Sequence, residues 1–273
     1  MNIRKQILFY LLNLSILISA ENTSSVHNNQ ISVIFDMNGV LVQTGGTTRI
    51  LGLSKFIAYA FTKNPFSLKK QIKGKLFDLL NELEERQPNE VDACDDHGDT
   101  LPQSMCNWMK GVNTPEQLRN AVDAKLACKN QNLESSILHD ISDMMFTPEK
   151  FSQTQNLVPD SINFVKQLKQ QGYKIYILSN FCSKSFEIIK NENPEFFELF
   201  DGVVISGDVG MIKPDPNIYK HLLNTHNIDC KKACFIDDVA INVQAAQNVG
   251  IYSLICPAKQ GYFTSEPDID TVK

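Results

Sequence analysis

The sequence lacks the features that mark several functional classes. It has no basic run longer than a short lysine pair, no internal repeat and no low-complexity tract. With 26 Lys and Arg against 31 Asp and Glu, the net charge is −5 and the pI about 5.6. This balance favours neither nucleic acid nor an anionic membrane surface as a partner. The 273 residues, 42% hydrophobic and 21% charged, suit one core domain with a sizeable insertion or two small domains.

Long apolar runs are also scarce, and the longest lies at the N-terminus. A basic stretch, MNIRKQ, precedes the 14-residue apolar run ILFYLLNLSILISA, which ends in small residues at Ala20. That run is short for a membrane-spanning helix, which needs about 20 residues. The pattern predicts a signal peptide over residues 1–20, export to the periplasm or the exterior, and a mature chain without a stable span. The alternatives are an uncleaved N-terminus that anchors the chain to a membrane, or a buried strand.

Cysteine is limited to seven residues. Export would permit disulfides, and the odd count leaves at least one thiol unpaired within the chain. Cys94, Cys106 and Cys128 lie in one segment and could supply one bridge, although sequence alone does not specify the pairing.

The chain is organised in three parts. Ile31 to Asp36 is a short β-rich run that ends in a turn containing Gly39. Residues 44–150 are almost wholly helical in pattern, with leucines at helical spacing between Leu68 and Leu83. From Pro159 onward, strands of continuous apolar character alternate with helices, which predicts a parallel sheet covered on both faces.

These parts predict an α/β protein with a doubly wound, Rossmann-like parallel sheet. Its core comprises residues 21–43 and 151–273, and a helical segment, residues 44–150, is inserted after the first strand. An insertion of that length within a compact domain usually has a function, such as that of a lid. Right-handed crossovers place the carboxyl ends of all the strands on one edge, where ligands bind in such folds.

Polar side chains follow the predicted strands at that edge. They are Asp36 and Asn38 after the first strand, Ser179 and Asn180 after the second, Lys213 after the third, and Asp237, Asp238 and Asn242 after the fourth. Each alone could be a turn, capping or solvated residue, since acids before a helix also favour its dipole. Together they place carboxylates, a hydroxyl, an amide and a cation at one edge of the sheet.

This combination predicts phosphoryl-transfer chemistry. Carboxylates that lie close together repel one another unless a cation lies among them, and Mg²⁺ suits a site with few carboxylates and several waters. Asp36 could attack phosphorus and form an aspartyl-phosphate. Lys213, Ser179 and backbone N–H groups would stabilise the charge on the transferred group. The predicted partner is therefore a small phosphorylated substrate; protein partners cannot be inferred.

The stretches FDMNGVL, LSN, KPDP and FIDDVAIN, in that order on those elements, resemble the four motifs of the haloacid dehalogenase-like hydrolase superfamily. The insertion is placed like that family's helical cap. The motifs are most similar to the subgroup with sugar-phosphate phosphatases and the N-terminal phosphatase domain of epoxide hydrolases. The resemblance implies Asp36 as nucleophile, with Ser179 and Lys213 holding the phosphoryl group. It also implies Mg²⁺ ligands from Asp36, the backbone carbonyl of Asn38, and Asp238, with Asp237 and Asn242 in support.

Asn38 departs from the family's pattern. The family's phosphatases have an aspartate there, which protonates the leaving oxygen and then activates the hydrolytic water. Asn keeps the backbone carbonyl but carries no proton, and losing general acid–base catalysis typically costs about 10²–10⁴ in rate. Three hypotheses follow: a slow or restricted metal-dependent phosphatase or phosphotransferase, a phosphate-ligand binder or interaction protein with an impaired site, and a dehalogenase-like hydrolase. Metal-independent turnover would favour the last, and binding without turnover the second.

A second acidic stretch lies in the insertion. The sequence VDACDDHGD, residues 91–99, crowds acids around Cys94 and His97. A second metal site would need such residues, but we interpret the stretch as a solvated acidic loop. The insertion is expected to set substrate choice, and its sequence does not identify a substrate.

Overall fold

The computed structural model describes residues 6–8, 10, 12–13, 30–45, 68–130 and 132–256. Most of the predicted signal peptide, the first part of the predicted insertion and the residues after Cys256 lie outside this range. The predicted cleavage after Ala20 is therefore untested. Within the described residues, Ile7 is buried against the core and the ring of Tyr10 stacks on that of Tyr252, with 3.8 Å between ring centroids.

The core is a parallel sheet. The strands of the described chain are β1 (Ser32–Phe35), β2 (Val42–Thr44), β3 (Gln155–Leu157), β4 (Lys174–Ser179), β5 (Gly202–Ile205), β6 (Ala233–Asp237) and β7 (Tyr252–Ile255). Five of them form one sheet in the order β5-β4-β1-β6-β7, and every neighbouring pair is parallel. The predicted strands and the parallel α/β architecture are confirmed.

Helices cover both faces of this sheet. They are α6 (Pro159–Gln170), α7 (Ser183–Glu192), α8 (Pro194–Phe197), α9 (Ser206–Val209), α10 (Pro216–Thr225) and α11 (Ala240–Asn248). Val33 and Phe35 of β1 belong to one hydrophobic cluster with α6 and α7, whereas Ile34 belongs to another with α10 and α11. Because successive strand residues point to opposite faces, this alternation is the signature of a doubly wound sheet.

Between β2 and β3 the described chain is mostly helical, as predicted, except for a loop over residues 82–102. The helices are α1 (Leu68–Asn81), α2 (Gln103–Met109), α3 (Pro115–Ala127), α4 (Leu133–Phe146) and α5 (Pro148–Ser152). Trp108 of α2 shares a hydrophobic cluster with Leu76, Leu79 and Leu80 of α1 and with Leu118 and Leu126 of α3. This cluster also takes in Cys182 and Ile212 from the α/β part. Thr114 is the N-cap of α3: its side chain accepts a hydrogen bond from the N–H of Gln117, and the Gln117 side chain accepts one from the N–H of Thr114, which together form a capping box.

A two-stranded antiparallel sheet joins the two ends of the helical segment. Val42 of β2 lies opposite Leu157 of β3, and Thr44 opposite Gln155. The sequence analysis did not predict these strands, because VQT and QNL are short and mostly polar. The structure also leaves all seven cysteines unpaired. None of the described helices is long and apolar enough to cross a membrane.

Candidate active site

Strand register brings the first two acids side by side. Phe35 of β1 lies opposite Ile236 of β6, and the N–H of Asp36 donates to the carbonyl of Ile236 at 2.8 Å. Asp36 and Asp237 are the next residues along these neighbouring strands, and both are buried. Two buried carboxylates this close would repel each other without a cation.

Lys213 supplies that cation. Its Nζ lies 2.8 Å from Asp36 Oδ1 and 2.6 Å from Asp237 Oδ2, and the residue is 1% exposed. Burial alone would lower the pKa of Lys213, but the charges of Asp237 and Asp36 outweigh it and the net shift is upward. The ammonium is therefore charged and holds the two carboxylates together.

Two asparagines fix the groups of this ion-pair network. The side chain of Asn180 accepts from the backbone N–H of Lys213 at 2.8 Å and donates to its carbonyl at 2.9 Å. The amide of Asn242 donates to both carboxylate oxygens of Asp237, each at 3.2 Å. Asn180 therefore positions the lysine, a role that sequence reasoning missed, and its predicted contact with substrate stays a prediction.

Asp238 completes a cluster of three acids. Asp36, Asp237 and Asp238 each offer a carboxylate oxygen within 4.8 Å of the others. Burial, with the charges of Asp36 and Asp237, raises the pKa of Asp238 to about 8. Burial also raises the pKa of Asp36 to about 6, although Lys213 opposes the shift. The network holds more negative than positive charge, so a hard cation with oxygen ligands fits these residues.

Gly39 makes the close approach of Asp238 possible. Its φ is +80°, and an added Cβ would lie 1.9 Å from Asp238 Oδ2. Only glycine meets both demands, because it tolerates positive φ and has no side chain. Sequence reasoning recognised the turn but not this contact.

Gly39→Ala is expected to displace the Asp238 carboxylate and to lower Mg²⁺ affinity at least tenfold. The strained backbone conformation adds a cost of about 1–3 kcal/mol to folding. Isothermal titration with Mg²⁺ and a thermal melt separate these effects. Gly172→Ala is the matched control, since its φ is +86° and nothing lies within 4 Å of an added Cβ. Equal Mg²⁺ affinity in the two variants would contradict the contact.

Two buried polar atoms near the acids make no hydrogen bond of ordinary length among the described residues, although Ser179 lies close enough to Asp36 to oppose the rise in its pKa. They are Ser179 Oγ, at the end of β4, and Asn242 Oδ1. A buried polar atom without a partner costs about 1–3 kcal/mol, so each is a candidate for contact with a ligand or water.

A cavity of about 580 Å³ opens above the acids. The predicted residues Asp36, Asn38, Asn180, Lys213 and Asp238 line it, together with Gly39 and Asn242. The structure thus gathers these predicted residues at one place, and Asn38 faces the cavity as an exposed residue. Asp237 is fully buried beneath it.

The helical segment contributes the facing wall of this cavity. Cys94, Asp95 and Asp96 line it, with Leu101, Met105 and Met109. Our interpretation of residues 91–99 as a solvated acidic loop was therefore incomplete, because part of the loop borders the predicted catalytic groups. No sequence signal identifies this contact, since it depends on how the helices pack onto the sheet.

A family model described as haloacid dehalogenase-like hydrolase matches residues 32–250. A sesquiterpene phosphatase of Aspergillus oryzae is 36% identical over 107 residues, which cover 38% of this chain and 54% of that protein. A glyceraldehyde 3-phosphate phosphatase of Pyrococcus abyssi is 31% identical over 97 residues, 34% of this chain and 40% of that protein. The bifunctional epoxide hydrolase 2 of Rattus norvegicus is 31% identical over 120 residues, which cover 40% of this chain and 22% of the rat protein. The alignments thus span about half of these relatives or less.

Solved structures share the fold. One is a haloacid dehalogenase (HAD) family enzyme of Bacteroides thetaiotaomicron in complex with magnesium and inorganic phosphate. It superposes with a TM-score of 0.54 at 19% sequence identity, and the match covers 85% of this chain and 96% of that one. A HAD-like family hydrolase of Porphyromonas gingivalis gives 0.52 at 14% identity, with 85% and 93% covered. At such identities the likeness concerns the fold alone.

Proposed function

The chain belongs to the haloacid dehalogenase-like hydrolase family, and we propose that it is a Mg²⁺-dependent phosphatase acting on phosphate monoesters through an aspartyl-phosphate. The observation that carries this proposal is the bridge formed by Lys213 between Asp36 and Asp237. It sets a carboxylate nucleophile beside a fixed positive charge, at the floor of a cavity. The phosphatases among the relatives support the same chemistry.

The proposed metal ligands fit the charge of the site. Asp36, Asp238 and the backbone carbonyl of Asn38 would hold Mg²⁺, and Asp237 would support them from below. The raised pKa values of Asp36 and Asp238 reflect acids that are buried together, and a divalent cation would stabilise their ionised forms. When bound, Mg²⁺ supplies positive charge that offsets the negative charge of the phosphoryl oxygens.

The nucleophile is an oxygen of Asp36. Lys213 holds Oδ1, so Oδ2 is the oxygen that would attack phosphorus in line with the leaving group. A new P–O bond forms to Asp36 while the bond to the leaving oxygen breaks, and that oxygen takes a proton from water. A second water then attacks phosphorus, which releases inorganic phosphate and restores the carboxylate.

The remaining groups bind the transferred phosphoryl group. Lys213 contributes its charge, and the buried hydroxyl of Ser179 donates a hydrogen bond to a phosphoryl oxygen. Asn180 and Asn242 keep Lys213 and Asp237 in place. The amide of Asn38 is not an acid and does not protonate the leaving oxygen. The site therefore favours esters whose leaving group is stable as an anion.

The second candidate function is binding of a phosphate ligand without turnover, and Asn38 is the observation that favours it. Asn38 faces the cavity where the family's phosphatases carry a catalytic acid. A binder of this kind would still need Lys213, Ser179 and the metal ligands. A dehalogenase-like reaction would need no Mg²⁺, so the three clustered carboxylates argue against it.

Metal binding is expected to depend on pH. The pKa values of Asp36 and Asp238 in the folded chain, about 6 and about 8, exceed the ordinary value of 3.8. Raised pKa values favour folding below about pH 4, and that contribution is lost as pH rises through 6 and 8. Saturating Mg²⁺ should offset the loss and raise the melting temperature by roughly 5–10 °C at pH 8, with little effect at pH 5.

Thermal melts of the full chain with Mg²⁺ and with chelator, at both pH values, measure this effect. Asp238→Asn should remove most of the Mg²⁺ stabilisation, whereas Asp208→Asn, at an exposed position of α9, should keep it. In parallel, the chelator should abolish hydrolysis of para-nitrophenyl phosphate, and added Mg²⁺ should restore it. Turnover that persists in chelator would overturn the proposed metal dependence.

A further inference from the structure

We propose that this site selects phosphate monoesters with a neutral or positively charged leaving group, and that Asp96 enforces the selection by repelling a second anionic group. The inference rests on the proposed function and names the substrate class of the same cavity. The wall that faces the catalytic acids decides the selection, because the leaving group must lie against it.

The leaving group points away from Asp36. In-line displacement places the leaving oxygen on the side of phosphorus opposite the nucleophile. Asp36 and Lys213 line the cavity from the strand ends, whereas the residues that line it from the helical segment are Cys94, Asp95, Asp96, Leu101, Met105 and Met109. The organic part of the substrate therefore extends toward this second group.

The two acids of that group have different partners. Asp95 Oδ2 lies 2.6 Å from Lys73 Nζ, and its Oδ1 accepts from the backbone N–H groups of His97 and Asp99 at 2.9 and 3.0 Å. Lys73 also pairs with Asp99, so Asp95 is held within an ion-pair network of the loop itself. Asp96 has only His97 as an ion-pair partner within the described chain, at 3.6 Å. Asp96 is therefore the acid whose charge a substrate meets.

The described lining residues of the cavity offer no counter-charge to a second anion. Lys213 is the only lysine or arginine among its described lining residues, and it is already paired with Asp36 and Asp237. Asn242 adds a buried oxygen without a partner, Oδ1, which accepts but does not donate hydrogen bonds. A carboxylate or second phosphate on the substrate would meet acceptors and negative charge.

The same wall is apolar beside Asp96. Leu101 and Met109 are buried, Met105 is half-buried, and all three line the cavity. Methionine adapts to irregular apolar shapes, so this surface suits a hydrocarbon skeleton. The substrate class is thus a phosphate monoester with an apolar body that carries a neutral or cationic group.

A matched series of aryl phosphates tests the selection. Phenyl phosphates with aminomethyl, hydroxymethyl or carboxyl at the para position have similar size and leaving phenols of comparable acidity, but differ in charge. For the full chain with Mg²⁺, kcat/KM should fall from the cationic to the neutral to the anionic ester. Asp96→Asn should lower the ratio of kcat/KM for the cationic ester to kcat/KM for the anionic ester by on the order of tenfold. This is the effect expected when one partly screened charge near the substrate is removed. Asp96→Lys should reverse the order.

The control is Asp123→Asn. Asp123 also carries one charge beside a half-exposed histidine, His139 at 3.5 Å, but it does not line the cavity. Its removal should leave the ratio unchanged. If the ratio of kcat/KM for the cationic and anionic esters were the same in the parent chain, Asp96→Asn and Asp96→Lys, the proposed selection would be wrong. The proposed phosphatase function would not be affected by that result. The proposed function itself fails if no ester is turned over, even in Asn38→Asp.

Discussion

Asp36→Asn is expected to lose Mg²⁺-dependent hydrolysis of para-nitrophenyl phosphate by about 10⁴-fold or more, a loss typical of removing a covalent nucleophile. The amide cannot form the acyl-phosphate bond. Folding should survive, because Lys213 keeps its ion pair with Asp237 at 2.6 Å and the amide is nearly the same size as the carboxylate. Release of para-nitrophenol, followed with the full chain under saturating Mg²⁺, measures the loss.

Two controls separate chemistry from folding. Asp208→Asn has the same change of side chain away from the cavity and should keep the parent rate. A thermal melt of Asp36→Asn should stay cooperative. If the well-folded variant retained more than a tenth of the parent rate, Asp36 would not be the nucleophile, and the phosphatase mechanism would fail.

Asn38→Asp is expected to raise kcat/KM for an alkyl phosphate by about 10²–10⁴, the usual contribution of a general acid–base group. Asn38 lies exposed on the cavity, so a carboxyl group there reaches the substrate without new burial. The gain should shrink to about tenfold or less for an aryl phosphate, whose leaving group needs little protonation. Comparing kcat/KM for ethyl phosphate and para-nitrophenyl phosphate measures both gains, because kcat/KM reports the step that forms the aspartyl-phosphate.

Asn38→Gln is the matched control, because it changes the side chain without adding an acid. Only the Asp variant should show the gain and its dependence on the leaving group. No gain with either ester, in a folded variant that binds Mg²⁺, would mean that position 38 does not limit the reaction. Activity that appears only in Asn38→Asp would instead favour the phosphate-binding function for the natural chain.

Much of the site could be predicted because strand ends are local in sequence. Asp36, Ser179 and Asp237 each end an apolar run, and a parallel sheet gathers such ends on one edge by geometry alone. The residue that each of these side chains contacts was harder to predict from the sequence. Lys213 bridges Asp36 and Asp237 even without substrate. This contact depends on the course of the loop after β5, which the sequence does not specify.

The features that escaped prediction depend on contacts between distant segments. Gly39 is required by the nearness of Asp238, almost 200 residues later in the chain, and no local pattern encodes that distance. The polar strands β2 and β3 form because they meet each other, although neither has the pattern of a strand. Asp96 reaches the cavity through the packing of the helical segment, which composition could not reveal.

The most direct test is to trap the covalent intermediate. Without an acid–base group at position 38, an aryl phosphate should still phosphorylate Asp36, but water should release the phosphate slowly. Acid quenching of the full chain with Mg²⁺ and para-nitrophenyl phosphate, followed by peptide mass spectrometry, should therefore find a phosphoryl group on Asp36. The labelled fraction should fall in Asn38→Asp as hydrolysis speeds up. Turnover without a label on Asp36, or with a label on another residue, would contradict the mechanism.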